Sequence, residues 1–361
     1  MTEQSKTRVI FWGTGNVGFH GLRHALEHPG IEVVGLHAHS PHKQGKDAGE
    51  LCGLDRQTGI RATNDVDALI ALKPDAALYF ANGELRPEEA ARDIARLLEA
   101  GINVASIALI VLINPRTADP ALREPIEAAC RKGNSTLFVN GIDPGFSGDL
   151  LPLAGLAVSD QVTQIVVQEI FDYSTYEDPD FTAIAFGFGR DPDFAPPMAT
   201  PGAVIHTWGG MLHMIANAMG VEIEEMRDRF ERCFAEQDFT CKMGAIPQGT
   251  CSGVRFAAEG LVDGRPFIVA EHVTRLGADQ APDWPQPPQG RSGVHRVIIR
   301  GRPELTLDCF AIGSDGDHNT GGVQATANRV LNALPHVVAA APGIVTALDL
   351  PYTPSLHARI G

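Results

Sequence analysis

The chain has few aromatic residues, little positive charge and no long apolar run. Of its 361 residues, 6% are aromatic, and 29 Lys and Arg stand against 44 Asp and Glu, which gives a formal net charge of −15. Such an acidic chain repels phosphate backbones and anionic lipids, so we expect neither nucleic acid nor a membrane as a partner. The longest apolar run, around Val104–Ile113, is interrupted by Ser106. It is far shorter than the roughly 20 residues that a membrane-spanning helix needs.

Cysteine is scarce as well. The chain contains six cysteines, and none of them forms a C-x-x-C pair. This argues against a zinc ribbon or a disulfide scaffold and favours a reducing compartment. The segment Met1–Arg8 is polar and does not have the apolar stretch of a secretion signal. We therefore expect a cytoplasmic protein, and its length favours two domains.

Short apolar runs alternate with helical patterns through the first third of the chain, as is typical of a parallel sheet covered by helices. Val9–Trp12 predicts a strand, Asn16–Glu27 a helix and Ile31–Leu36 a second strand. After Gly141 the pattern changes to alternating strands, and Asp263-Gly264 between two of them is a hairpin signal. Four of these strands, taken in chain order, predict an antiparallel meander.

These patterns predict an α/β protein in three parts. Residues 1–146 form a Rossmann domain with a doubly wound parallel sheet. Residues 147–318 form a second α/β domain with a mainly antiparallel sheet, and Asp178–Pro201 is an excursion or lid within it. Residues 319–361 form a helical segment that packs back on the first domain.

A glycine fingerprint stands between the first strand and the first helix. It has the G-x-G-x-x-G pattern and reads Gly13, Thr14, Gly15, Asn16, Val17, Gly18. In this context the first glycine permits a tight turn, the second lets the backbone approach a pyrophosphate, and the third lets the helix close on the sheet. The helix N-terminus then supplies N–H groups and positive potential for the phosphates. We therefore expect a dinucleotide cofactor.

The choice of cofactor is made at the end of the second strand. NAD sites usually carry an acidic residue there, which holds the ribose 2′-hydroxyl. This chain offers no acid until Asp47, whereas His39, Ser40 and Lys43 could hold a 2′-phosphate. We expect NADP, with NAD possible. Further cofactor contacts are expected at the ends of later strands, from Asn82, Ser106, Asn140 and Gly141.

Several segments resemble the dihydrodipicolinate-reductase-like oxidoreductases, and within them the branch of 2,4-diaminopentanoate dehydrogenase and the native amine dehydrogenases. The resemblance lies in five segments: Phe11–Gly18, Ser40–Asp47, Asn140–Phe146, Gln168–Tyr176 and Asn332–Pro335. It implies a Rossmann domain followed, in residues 147–318, by an α/β substrate and dimerisation domain, usually in a homodimer. The chain departs from true dihydrodipicolinate reductases, because their His-His pair and D-A-P-S-G-T segment are not found. It also departs from the amine dehydrogenases, in which a carboxylate is expected in the loop that here reads Ile107–Ile110.

Candidate site residues cluster around the predicted domain crossover. Asp143, Glu169 and Tyr173 are the catalytic candidates, because a buried carboxylate can exchange a proton and a tyrosine can donate a hydrogen bond. Tyr176, His206 and His272 are candidates for substrate contact. Asp143 could instead cap a helix, and the others could be packing or solvated residues. We predict no metal site, since His206 and His213 are too far apart in sequence to share an ion on a helix.

These observations predict an NAD(P)-dependent oxidoreductase, with NADPH preferred, that interconverts a C=N compound and a small amine. An NADPH-dependent carbonyl reductase or alcohol dehydrogenase remains an alternative, because the loop carboxylate is missing. A non-catalytic dinucleotide-binding sensor is a second alternative, from a different class of protein.

Overall fold

The computed structural model describes residues 6–355, so most of the polar N-terminal segment lies outside the described residues. The chain forms two compact units. The first unit runs to Ile142 and takes up the chain again at Val323, and the second comprises Asp143–Gly322.

A parallel sheet forms the centre of the first unit. Its strands, in spatial order and within the described chain, are β15 (Gly343–Val345), β6 (Thr136–Val139), β5 (Asn103–Ser106), β4 (Ala76–Tyr79), β1 (Thr7–Trp12), β2 (Ile31–His37) and β3 (Ala62–Thr63). The helices are α1 (Asn16–Glu27), α2 (Ala48–Leu51), α3 (Val66–Ala71), α4 (Pro87–Glu99) and α5 (Pro120–Gly133). The strand order changes direction at β1 and β4, which is where a doubly wound sheet binds its ligand.

The last long helix, α9 (His318–Ala339), begins in the second unit and continues in the first. From Ala327 to Leu334 its apolar residues join the buried cluster that contains Val9 and Leu78 of the central strands. The predicted return of the C-terminal helix to the first domain is confirmed. No helix within residues 6–355 is both long and apolar enough to cross a bilayer.

A mixed sheet forms the centre of the second unit. Its strands, in spatial order, are β14 (Leu305–Cys309), β13 (Gly293–Arg302), β7 (Asp160–Asp172), β12 (Arg265–Arg275), β11 (Cys251–Val262) and β8 (Glu225–Phe234). A separate small ribbon joins β9 (Phe239–Cys241) and β10 (Gly244–Ile246). The helices of this unit are α6 (Leu150–Leu156), α7 (Pro179–Ala185) and α8 (Ala203–Met219).

The sheet of the second unit is mainly antiparallel, as predicted, but it is not the predicted meander. Strand β7 lies between β12 and β13, and it pairs with β12 in parallel. This long-range pairing leaves no local signal, because β7 lies far from both of its partners in the sequence. The β11–β12 and β13–β14 hairpins instead join consecutive strands. The β11–β12 hairpin turns at Asp263 and Gly264, both with positive φ (50° and 68°). The α/β fold class predicted from the sequence is confirmed.

Candidate active site

The shape of the turn after β1 requires glycine at two positions. Gly13 has a φ of +96°, and a Cβ there would lie 2.7 Å from the backbone nitrogen of Ala81. A Cβ on Gly18 would lie 2.3 Å from the carbonyl oxygen of Gly13. The turn and the close approach of α1 to the sheet therefore both depend on glycine.

Gly15 differs from these two, because a Cβ built on it would meet nothing within 4 Å. It is the N-cap of α1 and provides no side-chain hydrogen bond to the first turn. The open space and the uncapped N–H groups are what a pyrophosphate needs. The residues of this turn, including Thr14, Asn16 and Val17, therefore fit a dinucleotide.

The segment after β2 contacts this turn. The ammonium of Lys43 donates a hydrogen bond of 2.7 Å to the carbonyl oxygen of Thr14, and burial lowers the pKa of Lys43. Ser40 is half-buried and His39 is exposed. The buried carboxylate of Asp47 accepts hydrogen bonds from the backbone of residues 49, 58 and 59 and from the hydroxyl of residue 58. It is thus committed to its own loop.

The strand-end residues predicted to contact the cofactor lie at the carboxyl edge of the sheet, and three have structural partners. Oδ1 of Asn82 accepts from the N–H of residue 85 at 3.0 Å. The buried Ser106 hydroxyl contacts both backbone groups of residue 108. Oδ1 of Asn140 accepts from Nε of the buried Arg329 at 3.1 Å, and Gly141 follows it, also buried. Arg329 was not foreseen from the sequence.

The loop after β5, where the resemblance led us to expect a carboxylate, is contacted by a carboxylate from another loop. Oε1 of Glu84, from the loop after β4, accepts a hydrogen bond of 3.3 Å from the N–H of Ile110. Glu84 is exposed. The loop itself carries no acid, but a neighbouring loop supplies one.

In the second unit, one row of side chains crosses the sheet on a single face. His295 of β13 pairs with Glu169 of β7, Glu169 pairs with His272 of β12, and His272 pairs with Phe256 of β11. Paired residues on neighbouring strands project to the same side, so strand register alone brings two imidazoles to one carboxylate. The His272 ring stacks on Phe256, with centroids 4.7 Å apart, and also contacts Trp208 of α8.

Asp143 is held beside this row by three groups. Trp208 donates its Nε1–H to Oδ1 at 2.8 Å, and the Ser147 hydroxyl donates to Oδ2 at 3.0 Å. Nε2 of His272 lies 3.3 Å from Oδ1, an ion-pair distance without hydrogen-bond geometry. The cap of α6 is Asp149, so Asp143 does not serve as that helix cap. Its side chain is 1% exposed.

Glu169 has a neighbour at each oxygen. The Tyr173 hydroxyl donates to Oε1 at 3.0 Å, and Nδ1 of His272 lies 3.8 Å from the same oxygen. Nδ1 of His295 lies 3.7 Å from Oε2. Tyr176 stacks on the ring of Tyr173, with centroids 4.6 Å apart. His272 thus faces one carboxylate with each ring nitrogen.

Burial and mutual charge set the protonation states of the cluster. Burial raises the pKa of Glu169 to about 7. Burial would also raise the pKa of Asp143, but the imidazole of His272 brings it below its ordinary value. Burial would lower the pKa of His272, and the Asp143 carboxylate raises it instead. The mutual attraction therefore favours an ionised Asp143 beside a protonated His272, whereas the pKa of Glu169 lies close to neutral pH.

The cluster also offers three atoms that could bind a metal ion, one each from Asp143, Glu169 and His272. These atoms lie within 4.8 Å of one another. A single ion needs ligand atoms that converge on one point. Here the two nitrogens of His272 face two different carboxylates, so a single ion could replace only one of these two contacts.

The structure brings together most of the second-unit residues proposed from the sequence: Asp143, Glu169, Tyr173, Tyr176 and His272. His206 is exposed on α8, and within residues 6–355 none of the contacts of this cluster involves it. The sequence interpretation missed His295, Ser147 and the polar role of Trp208. Trp208 was not among the candidate residues, and nothing local marks His295, since its position depends on the pairing of β13 with β7.

Comparisons with known proteins agree with this architecture. A family model described as the 2,4-diaminopentanoate dehydrogenase C-terminal domain matches residues 146–360. The amine dehydrogenase of Streptomyces virginiae is 41% identical over 354 residues, which cover 98% of each chain. The 2,4-diaminopentanoate dehydrogenase of Acetoanaerobium sticklandii is 23% identical, and the match covers 96% of this chain and 94% of that one.

Among solved structures, the amine dehydrogenase from Mycobacterium smegmatis has a similar fold. The TM-score is 0.80 at 19% identity, and the match covers 98% of this chain and 99% of that chain. The parallel sheet and glycine turn define a Rossmann-type NAD(P)-dependent oxidoreductase. The chain belongs to the 2,4-diaminopentanoate dehydrogenase family. It is an amine-dehydrogenase-like enzyme that uses a nicotinamide cofactor, as the sequence resemblance implied.

Proposed function

We propose that this enzyme interconverts a small primary amine with a carbonyl compound and ammonia, and that it prefers NADP. In the oxidative direction, the protonated amine, oxidised cofactor and water give carbonyl compound, ammonium, reduced cofactor and one proton. The observation that carries the proposal is the buried pair of carboxylates, Asp143 and Glu169, with His272 facing both. Two carboxylates suit a substrate that is a cation as the amine and remains one as the iminium ion.

The residues of the second unit would handle the protons. When bound, the cofactor would accept a hydride from the amine-bearing carbon. As a carboxylate, Glu169 takes a proton from the substrate ammonium and so frees the nitrogen lone pair. The ionised Asp143, fixed by Trp208 and Ser147, stabilises the positive charge on the substrate. In the reverse direction, protonated Glu169 returns the proton to nitrogen.

The residues of the first unit would bind the cofactor. The glycine turn and the N-terminus of α1 hold the pyrophosphate, and Asn140 and Gly141 would contact the nicotinamide amide. Asp143 follows Asn140 by three residues along the chain. NADP preference is supported by the Asp47 carboxylate being committed to its own loop. Ser40 and Lys43 then remain to bind the 2′-phosphate.

A steady-state screen tests this function. Amines are offered with NADP and with NAD, and ketones with NADPH in the presence and absence of ammonia. We expect ketone reduction to require ammonia. Ketone reduction without ammonia would instead favour a carbonyl reductase, and dinucleotide binding without any turnover would favour a sensor.

The remaining expectations belong to the same proposal. The enzyme would act in the cytoplasm as a homodimer on a small-molecule substrate, without a metal and without nucleic acid or membrane as a partner. Light scattering of the purified chain, whose mass is 38.6 kDa, tests the homodimer, because a dimer has twice that mass.

A further inference from the structure

His295 is a buried imidazole for which the proposed mechanism has no use. Its side chain is 1% exposed, and within the described residues neither ring nitrogen has a hydrogen-bond partner. Nδ1 faces Oε2 of Glu169 at 3.7 Å, which is too long for a hydrogen bond. A buried polar group without a partner is unfavourable, and such groups in native proteins call for an explanation.

The chemistry of the ring narrows what can bind there. Burial lowers the pKa of His295 to about 4, so the ring is neutral at physiological pH and offers one donor and one acceptor. The aromatic ring of Phe171, with its centroid 4.8 Å away, fixes the imidazole in place. A group that meets this imidazole and the Glu169 carboxylate together should therefore both donate and accept a hydrogen bond.

A hydroxyl group meets both requirements. Nδ1 of His295 and Oε2 of Glu169 are 3.7 Å apart, so one oxygen can lie about 2.8 Å from each of them, the usual hydrogen-bond length. It can accept from the imidazole N–H and donate to the carboxylate. The reacting nitrogen belongs at the other side of Glu169, where Oε1 and Asp143 both lie near His272.

We propose that His295 forms a second binding subsite, which recognises a hydroxyl group on the carbon next to the amine-bearing carbon. The preferred substrates are then small 1,2-amino alcohols and the corresponding α-hydroxy ketones. This inference rests on the proposed function, since it assigns a substrate class to the same site. It follows from the subsite geometry, because one carboxylate holds both groups and they must therefore be close neighbours on the substrate.

Two ketones of nearly equal size test the subsite. Hydroxyacetone and 2-butanone differ by a hydroxyl in place of a methyl group, and both are assayed with NADPH and ammonia. We expect kcat/KM of the wild-type enzyme to favour hydroxyacetone by roughly tenfold to a hundredfold, because 2-butanone would leave the buried imidazole of His295 without a hydrogen-bond partner. In His295→Phe this preference falls towards one while turnover of 2-butanone persists. His295→Gln, which keeps a donor and an acceptor, restores part of the preference.

The outcomes separate the subsite from the function. Equal kcat/KM for the two ketones in the wild-type enzyme, or an unchanged ratio in His295→Phe, contradicts the subsite and leaves the proposed function intact. If neither ketone is aminated and none of a wide panel of amines is oxidised, the proposed function itself fails. If circular dichroism shows that His295→Phe does not fold, the wild-type ratio and the His295→Gln ratio decide the question.

Discussion

The glycine turn of the first unit and the acidic cluster of the second are built in opposite ways. The turn is one contiguous segment of six residues, Gly13–Gly18, which directly follows β1 and begins α1. The cluster takes Glu169, His272 and His295 from three neighbouring strands. Its fourth member, Asp143, comes from a separate segment and is held by hydrogen bonds from Trp208 and Ser147. A binding site formed by one segment can be recognised from the sequence. For a site formed by strand register, the sequence shows only which residue types are available and not which of them meet.

The largest effect is expected from a substitution that removes the proton-exchanging group of the cluster and leaves the glycine turn intact. Glu169→Gln keeps the shape of the side chain but can no longer exchange a proton. We expect kcat to fall by about 10²- to 10⁴-fold, the usual contribution of a general acid or base. Cofactor affinity, measured by NADPH fluorescence, should stay unchanged. A parallel loss of cofactor binding would mean that the two regions do not act separately.

The complementary change obstructs cofactor binding at the turn and leaves the cluster intact. Gly15 has φ −77° and ψ −162°, which alanine can adopt, and its Cβ would meet nothing. We therefore expect Gly15→Ala to keep the thermal stability of the protein without cofactor. Its methyl group would occupy the space that the pyrophosphate needs, and cofactor affinity should fall by about a hundredfold, on the order of 3 kcal/mol.

Gly18→Ala is the matched control for that variant. Its Cβ would lie 2.3 Å from a backbone oxygen, so it should lower the melting temperature in the absence of any cofactor. Equal melting temperatures for the two variants would contradict the distinct roles given to these glycines.

The same contrast explains what sequence reasoning could and could not predict. The strand, turn and helix around Gly13–Gly18 follow from local preferences, and α1 is found at the predicted Asn16–Glu27. Glu169 and His272 were named as separate candidates, but their meeting required the parallel pairing of β7 with β12. His295 was missed because its role arises from the register of β13 alone.

A third prediction concerns cofactor choice. In Ser40→Glu a carboxylate would repel the 2′-phosphate of NADP and could hold the ribose 2′-hydroxyl of NAD. We expect the ratio of kcat/KM for NADP to that for NAD to fall by about tenfold or more, equivalent to at least about 1.4 kcal/mol. Ser40→Ala is the control, since it removes the hydroxyl without adding charge. An unmoved Michaelis constant for NADP in Ser40→Glu would show that the assignment is wrong.

A smaller effect is expected at the support of the Asp143 carboxylate. Trp208→Phe removes the 2.8 Å hydrogen bond to Oδ1 and keeps an aromatic ring against His272 and Phe256. Without this donor the pKa of Asp143 rises. Because hydrogen bonds to charged groups contribute about 1.5–3 kcal/mol, kcat should fall by about tenfold. Full activity of Trp208→Phe would show that this hydrogen bond does not contribute to catalysis.

The smallest effect is expected at Glu84. This exposed carboxylate accepts a hydrogen bond from the loop after β5, which makes it the rival to Glu169 as the proton carrier. If Glu169 carries the proton, Glu84→Gln should change kcat by no more than about twofold, as is usual for surface positions. A loss of kcat as large as that of Glu169→Gln would transfer the role to the first unit.

The pH dependence of amine oxidation tests the central assignment most directly. Burial raises the pKa of Glu169 to about 7, and the carboxylate, which is the form that accepts a proton, predominates above that pH. For the wild-type enzyme with saturating cofactor, kcat should therefore rise with pH through about 7 and then level off, and this limb should vanish in Glu169→Gln. A Glu169→Gln enzyme that retains both its rate and the same limb would contradict the account.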